Sequence, residues 1–443
     1  MLNKLTVAIK RLSPDLRKII SNILWLFIDR ILRLGVGLIL TAWLARYLGP
    51  VQFGVFNYAI AFVSLFGVLA TLGLDQIVVR DIIRDPSCKD ETLGTAFALK
   101  LSGSLVTILV TSAIIFLLRP NDELTRWLVL ITAAGTIFDA FNTIDFWFQL
   151  QVKSKYTVLS KNLAFILITI VRVVLLQMQA PLIAFALALL AENALGAVGL
   201  AIAYKVSGQN ILGWRTNWLR AKTLLKESWP LILSGLAIMV YLRIDQIMLG
   251  QLADDKAVGI YSVATKLSEL WYYIPVAICT SVNPSIIEAK KVSETLYYKK
   301  LQKLFNLMAV LAYSIAIPMT FLSNYIVVTI FGENYAAAAG VLSIHIWAAL
   351  FVFFGYCKGI WVVAEGMTMY YLFTTCLGAT MNILLNFWLL PIYRETGAAI
   401  ATVISYSFVD YFLCLIYPPT RIIASVMTKA IALNFFYNTK SSD

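Results

Sequence analysis

The residues with the most chemical potential in this chain are ionisable side chains set inside long apolar runs. A charge at the centre of a membrane-spanning helix costs about 2.5–3.5 kcal/mol even on the lenient insertion scale, so each such group is expected to face protein or water. Arg30 and Arg33 lie three residues apart and share one helix face. Asp29, four residues before Arg33, is placed to pair with it; Arg30 is then the stronger candidate for an anion site and Arg33 the next. Arg172, Arg243 and Lys266 extend the candidate anion-binding set, and Lys100 and Lys358 are the other basic groups within apolar runs. Guanidinium groups suit phosphate oxygens because their N–H fork can hold two at once. Among the acids, Asp245, Glu192, Asp410, Asp139 and Asp145 are the candidates for ion coupling or gating. Lys266 and Glu269, three apart, are expected to pair with each other, whereas Arg243 and Asp245, two apart, face different ways and need separate partners. Asp75, Asp145 and Lys358 fall near the cytoplasmic ends of their runs and read as gate or snorkelling charges. His345, the single histidine, is expected to hydrogen-bond inside the bundle, with a proton-carrying role as the alternative.

The elements that position these groups must live in an apolar solvent. Of 443 residues, 60% are hydrophobic and only 14% charged, against roughly 25% charged in a soluble domain. Mean hydropathy is +0.80. A soluble fold of this size has too little interior for so much apolar surface. The composition therefore excludes a disordered chain, a secreted disulfide scaffold and a nucleic-acid-binding domain, although the net charge is +12. Basic excess of that kind belongs on cytoplasmic loops.

About 20 apolar residues cross a bilayer core. That length yields twelve spans, at 19–46, 53–79, 93–118, 126–148, 156–178 and 181–204, then 229–251, 257–282, 303–330, 337–362, 367–391 and 396–418. They are continuous apolar runs without alternation, hence helices and not barrel strands. The run from Ile19 exceeds the ~7–15 residue core of a signal peptide and reads as a retained first span. An even number of spans puts both termini on one side. That side collects 24 Lys and Arg against five opposite, with seven inside spans, so both termini are expected in the cytoplasm. The expected organisation is a basic N-terminus over 1–18, a first lobe over 19–206 and an interfacial linker over 207–228. A second lobe over 229–420 and a cytoplasmic tail over 421–443 follow, with 422–437 interfacial or a thirteenth span. The five cysteines show no metal-ligand spacing and read as inert thiols.

The two lobes repeat each other. Leu48-Gly49-Pro50-Val51-Gln52-Phe53-Gly54-Val55-Phe56-Asn57-Tyr58-Ala59 and the stretch from Leu252 through Gly259-Ile260-Tyr261-Ser262-Val263-Ala264 share a pattern. Each has a leucine, a short loop, then glycine, an aliphatic, an aromatic, a small polar residue and alanine. Both copies open the second helix of a six-helix set, which implies parallel repeats about an axis along the membrane normal.

The segment Leu44-Ala45-Arg46-Tyr47-Leu48-Gly49-Pro50-Val51-Gln52-Phe53-Gly54 resembles the link between the first two helices of Wzx-type polysaccharide flippases, as does Gly73-Leu74-Asp75 followed by Arg80. Ile244-Asp245-Gln246-Ile247-Met248-Leu249-Gly250 through Gly259-Ile260-Tyr261 is similar to their seventh and eighth helices, and Leu390-Pro391 with Gly397-Ala398-Ala399 to their last turn. The resemblance covers the whole chain in order. It implies the multidrug/oligosaccharidyl-lipid/polysaccharide (MOP) exporter superfamily and an all-α membrane protein of about twelve helices, in two pseudo-symmetric six-helix lobes forming a V-shaped, MATE-like bundle.

The implied activity is flipping of a polyprenyl-pyrophosphate-linked oligosaccharide across the bacterial inner membrane, with no cofactor and no enzymatic step. Membrane lipid, a coupling H+ or Na+, and a polysaccharide polymerase with chain-length proteins are the implied partners; nucleic acid is not. Tyr241, Trp271, Tyr272 and Tyr273 could stack on sugar rings, with ordinary packing as the plainer role. No phosphate-binding Gly-x-x-x-x-Gly-Lys-Ser/Thr loop or HExxH motif occurs. An ion-coupled multidrug exporter is the alternative and would want an acid-rich cavity. A membrane polysaccharide polymerase would need a larger outer loop than any present.

Overall fold

The computed structural model describes the backbone of residues 14–433 and the side chains of Trp25 and of 32–433. Helices are the only regular elements among the described residues, as continuous apolar runs in a solvent without hydrogen-bonding partners require. Ten of the helical runs are long and apolar enough to cross a membrane. Two of these contain a break. Pro14–Phe66 has 53 residues, about 80 Å at 1.5 Å per residue, roughly twice a bilayer. It breaks at Gly49 (φ 69°, ψ 172°), a conformation that glycine adopts without a Cβ penalty, and Pro50 opens the next leg. Thr368–Ser407 breaks at Arg394 (φ 51°, ψ −132°), three residues after Pro391. Ten runs thus supply the twelve expected legs.

The second leg is shorter than its apolar run. It stops at Phe66, a single turn spans Val68–Thr71, and left-handed Leu72 and Gly73 redirect the chain into the separate helix Asp75–Arg84. Ile77, Val78 and Ile82 of that helix bury against Leu93, Phe146 and Leu224.

Two compact units result: residues up to Tyr47 with Ala59–Leu236, and Leu48–Tyr58 with the residues from Ala237 on. The division falls inside the helix Trp218–Leu252, not at a linker. Within 207–228, a short turn at Ile211–Gly213 is followed by the opening turns of that 35-residue helix. The described part of the tail forms Arg421–Ile431, 11 residues and by itself too short to span; the rest of the expected segment, 434–437, lies outside the described residues. The short helix lies on Glu294–Phe331, where Tyr313 Oη donates to the Ile431 carbonyl at 3.1 Å and Gln302 Nε2 to the Val426 carbonyl at 3.0 Å.

In the second unit the repeated glycines meet. A methyl group on Gly54 would overlap the Asp255 carbonyl oxygen, and one on Gly259 would overlap the Pro50 carbonyl oxygen. Each glycine admits the backbone at the start of the other's helix. The neighbouring Asp254 caps Asp255–Glu269, accepting from the Ala257 amide at 2.8 Å, and also pairs with Arg394 at the break of the later helix. Asp254→Ala should therefore lower stability by about 1 kcal/mol, a typical cap loss, read as a drop in the thermal midpoint in detergent. Partial burial pushes the Asp254 carboxyl up, but the hydrogen bonds from Arg394 and Ala257 outweigh it and leave the group below its ordinary 3.8. The stabilisation is accordingly full above the unfolded carboxylate range and lost as pH falls through the lower folded value. The difference between wild type and Asp254→Ala should hold constant from neutral pH down to mild acid and close only below that range.

Candidate functional site

In the first unit, three helices bring Arg33, Arg172 and Glu192 together. Arg33 stands on the first leg, Arg172 on Lys155–Gln177 and Glu192 on Leu182–Val206. Arg172 Nη2 lies 2.9 Å from Glu192 Oε2, and Arg33 Nη1 lies 3.7 Å from Oε1, so each guanidinium takes a different carboxylate oxygen. Arg33 also sits 5.0 Å over the Phe165 ring, a contact that suits a planar, weakly hydrated cation. Beside this triad opens a cavity of about 160 Å³ lined by Arg33, Lys161, Asp139, Asn142, Glu192 and Asn193. Its wall is polar and its positive groups are donor-only. Arg172 stands behind Glu192 and fixes it. Asp139 accepts from Asn142 Nδ2 at 3.3 Å. Lys100 reaches Asp75 at 2.9 Å and covers the Phe146 ring at 4.4 Å.

The second unit holds a buried carboxylate network. Asp245, 3% exposed, accepts from Tyr261 Oη at 2.7 Å, from Thr402 Oγ1 at 2.7 Å and from Asn386 Nδ2. Asn386 also donates to Asn382 Oδ1 at 3.0 Å. The network draws on three helices and on the register of Asn382 and Asn386, four apart on one face. Arg243, two residues before Asp245, points elsewhere and pairs with Glu269 at 3.5 Å. A third ionic group, Lys358 with Asp410 at 2.6 Å, closes one wall of a cavity of about 340 Å³.

The family model described as polysaccharide biosynthesis protein matches residues 19–290, more than half of the chain. The chain belongs to this family. The MatE model matches residues 230–388. No curated protein matches the sequence significantly. Solved structures share the fold at low identity. An inward-facing multidrug resistance MATE family transporter of the MOP superfamily superposes with a TM-score of 0.70 at 13% identity, over 92% of this chain and 99% of that one. Lipid II flippase MurJ, inward closed, gives 0.70 at 15% identity, over 96% and 94%. A MOP superfamily transporter from Pyrococcus furiosus gives 0.62 at 15% identity, over 92% and 96%. This polysaccharide biosynthesis protein is a multi-pass membrane protein with the fold of MOP transporters, in agreement with the resemblance in its helix-linking segments.

Of the site residues expected in this polysaccharide biosynthesis protein, the structure gathers Arg33, Glu192 and Asp139 at one cavity, with Arg172 paired to Glu192 behind its wall. Arg30 and Asp29 lie outside the residues whose side chains are described. Asp145 stands apart, bonded to Thr157 and, at 2.9 Å, to Gln149. The expected Lys266–Glu269 pair does not form: Glu269 reaches Arg243 across to the neighbouring helix, and Lys266 has no ion pair among the described residues. Lys358 is not a snorkelling charge but is 1% exposed in its pair with Asp410. His345 bonds Ser268 Oγ at 3.0 Å inside the bundle. Lys161, not among the expected site residues, also lines the cavity, nearly two turns into Lys155–Gln177. The network around Asp245 was missed, although two asparagines four apart in an apolar run, Asn382 and Asn386, were a legible sign of a polar face.

Proposed function

We propose that this protein flips a polyprenyl-pyrophosphate-linked oligosaccharide from the cytoplasmic to the outer leaflet of a bacterial inner membrane, by alternating access, with both termini in the cytoplasm. The product would supply O-antigen, capsule or exopolysaccharide synthesis. The observation that carries the reading is the Arg33–Glu192–Arg172 triad beside a polar cavity. An ionised phosphate cannot enter hydrocarbon unaided. Each guanidinium contact at about 4 Å is worth roughly 4 kcal/mol at an effective dielectric near 20, before desolvation. A volume of about 160 Å³ lies below the ~300–1,000 Å³ of drug-sized sites; it suits a pyrophosphate group, not the glycan. Asp245 is the coupling group we assign, for a proton or sodium ion, because its carboxylate is sealed among neutral donors with no basic partner among the described residues. The membrane potential adds about 2.3 kcal/mol per exported negative charge per 100 mV.

Glycan export in a flippase-deficient host tests this. Arg33→Ala should reduce export about tenfold or more, the loss of one charge-assisted contact, and Arg172→Ala should reduce it by freeing Glu192 from its place, both at normal membrane levels. Arg33→Lys should recover part of it. Export at wild-type rate in both alanine variants would refute the reading. The rival, an ion-coupled multidrug exporter, draws on the MatE match over 230–388. It predicts drug resistance that depends on Asp245 and ignores Arg33.

A further inference from the structure

We propose that the cavity closed by Lys358 and Asp410 in the second unit is a subsite for one neutral sugar ring of the glycan. This rests on the flippase reading and adds a ligand and a place to it. The cavity measures about 340 Å³, within the range of small-ligand sites. Five tyrosines line it: Tyr241, Tyr272, Tyr356, Tyr371 and Tyr406. Tyr241 and Tyr406 pair with ring centroids 4.3 Å apart at 31°, an aromatic wall of the cavity against which the C–H face of a pyranose can pack.

The polar groups fit the same ligand. The Tyr241 hydroxyl is buried with no hydrogen-bond partner among the described residues. Such an orphan is costly in a buried site and calls for a partner that comes and goes. Asp410 belongs to a π-helical turn, Phe408–Phe412, a distortion found mostly at functional sites. A Cβ at Gly355 would stand 3.0 Å from Asp410 Oδ2, so glycine there leaves the carboxylate its room. Lys358, 1% exposed, neutralises Asp410 from the protein side and also donates to the Val409 carbonyl at 3.0 Å. Asp410, 14% exposed, keeps lone pairs toward the cavity. A neutralised carboxylate, a spare phenol and aromatic faces bind vicinal hydroxyls. They offer an organic cation no uncompensated charge, and a pyrophosphate no uncompensated cation.

The test uses purified full-length protein in detergent and saturation-transfer NMR with the methyl glycosides of glucose, galactose and N-acetylglucosamine. Tetraphenylphosphonium and inorganic pyrophosphate are the comparison probes. Gly359 lines the cavity and a Cβ there meets nothing within 4 Å, so Gly359→Phe fills the space without displacing backbone; thermal melting checks that it folds. At least one glycoside should bind the wild type, be lost in Gly359→Phe, and weaken about fivefold in Tyr241→Phe, one neutral hydrogen bond. No glycoside signal, an equal signal in both variants, or displacement of the glycoside by tetraphenylphosphonium would overturn the subsite. Should Gly359→Phe fail to fold, Tyr241→Phe decides alone. Pyrophosphate binding that depends on Arg33 reports on the flippase reading separately, so either can fail without the other.

Discussion

Gly54→Ala and Gly259→Ala are each expected to abolish the folded protein. At both positions the added methyl group would meet backbone, the carbonyl oxygens of Asp255 and Pro50, and not the end of a side chain that could swing away. Overpacking a core commonly costs 1–3 kcal/mol, roughly, when side chains can yield. Here the two chain segments must separate, so the loss should exceed about 4 kcal/mol, a large part of the ~5–15 kcal/mol that holds a typical domain together. Fluorescence-detected size exclusion after mild solubilisation reads the outcome as loss of the monodisperse peak. Gly340→Ala is the control, since a Cβ there meets nothing within 4 Å. A wild-type peak and melting midpoint for either Gly54→Ala or Gly259→Ala would show that the two segments do not approach as described.

Removing one partner of the Lys358–Asp410 pair should be the next most damaging change. With Lys358 1% and Asp410 14% exposed, Lys358→Met leaves a carboxylate without its counter-charge in a low-dielectric site. The expected cost is about 3–5 kcal/mol, and the double variant Lys358→Met/Asp410→Leu should cost less than either single one. A thermal-stability cycle over the four proteins measures this. Strict additivity would mean that the two groups do not interact in the folded protein. The same cycle separates structure from transport, because the double variant should fold yet lack the carboxylate proposed to meet the sugar.

The helical class and the twelve legs were legible because uninterrupted apolar runs have one solution in a bilayer. The matching glycines of the two similar stretches have one physical reason in the structure: Gly54 and Gly259 must each admit the other's backbone. Arg243 and Asp245 separated as their spacing demanded. What sequence could not reveal were partners on other helices. Helical spacing offers Glu269 only Lys266, whereas Arg243 on the preceding helix takes it; nothing in sequence order points from Arg33 to Glu192. Lys358 was read as a gate or snorkelling charge and is buried in an ion pair, because hydropathy locates a charge along a span but not around it. Of the tyrosines lining the second unit's cavity, Tyr241 and Tyr272 stood out beside other aromatics. Tyr356, Tyr371 and Tyr406 look in sequence like ordinary members of apolar runs.

The membership of Leu48–Tyr58 in the second unit bears on how the molecule is made. During synthesis this stretch emerges early, yet the backbone that covers Gly54 is translated some two hundred residues later. Until Asp255–Glu269 inserts, the ribosome-bound chain carries an uncovered glycine face, a long-range closure of the kind that slows folding and invites misassembly. A fragment ending at Leu236 should therefore be a poor solo folder, and co-expression of the two fragments should rescue it.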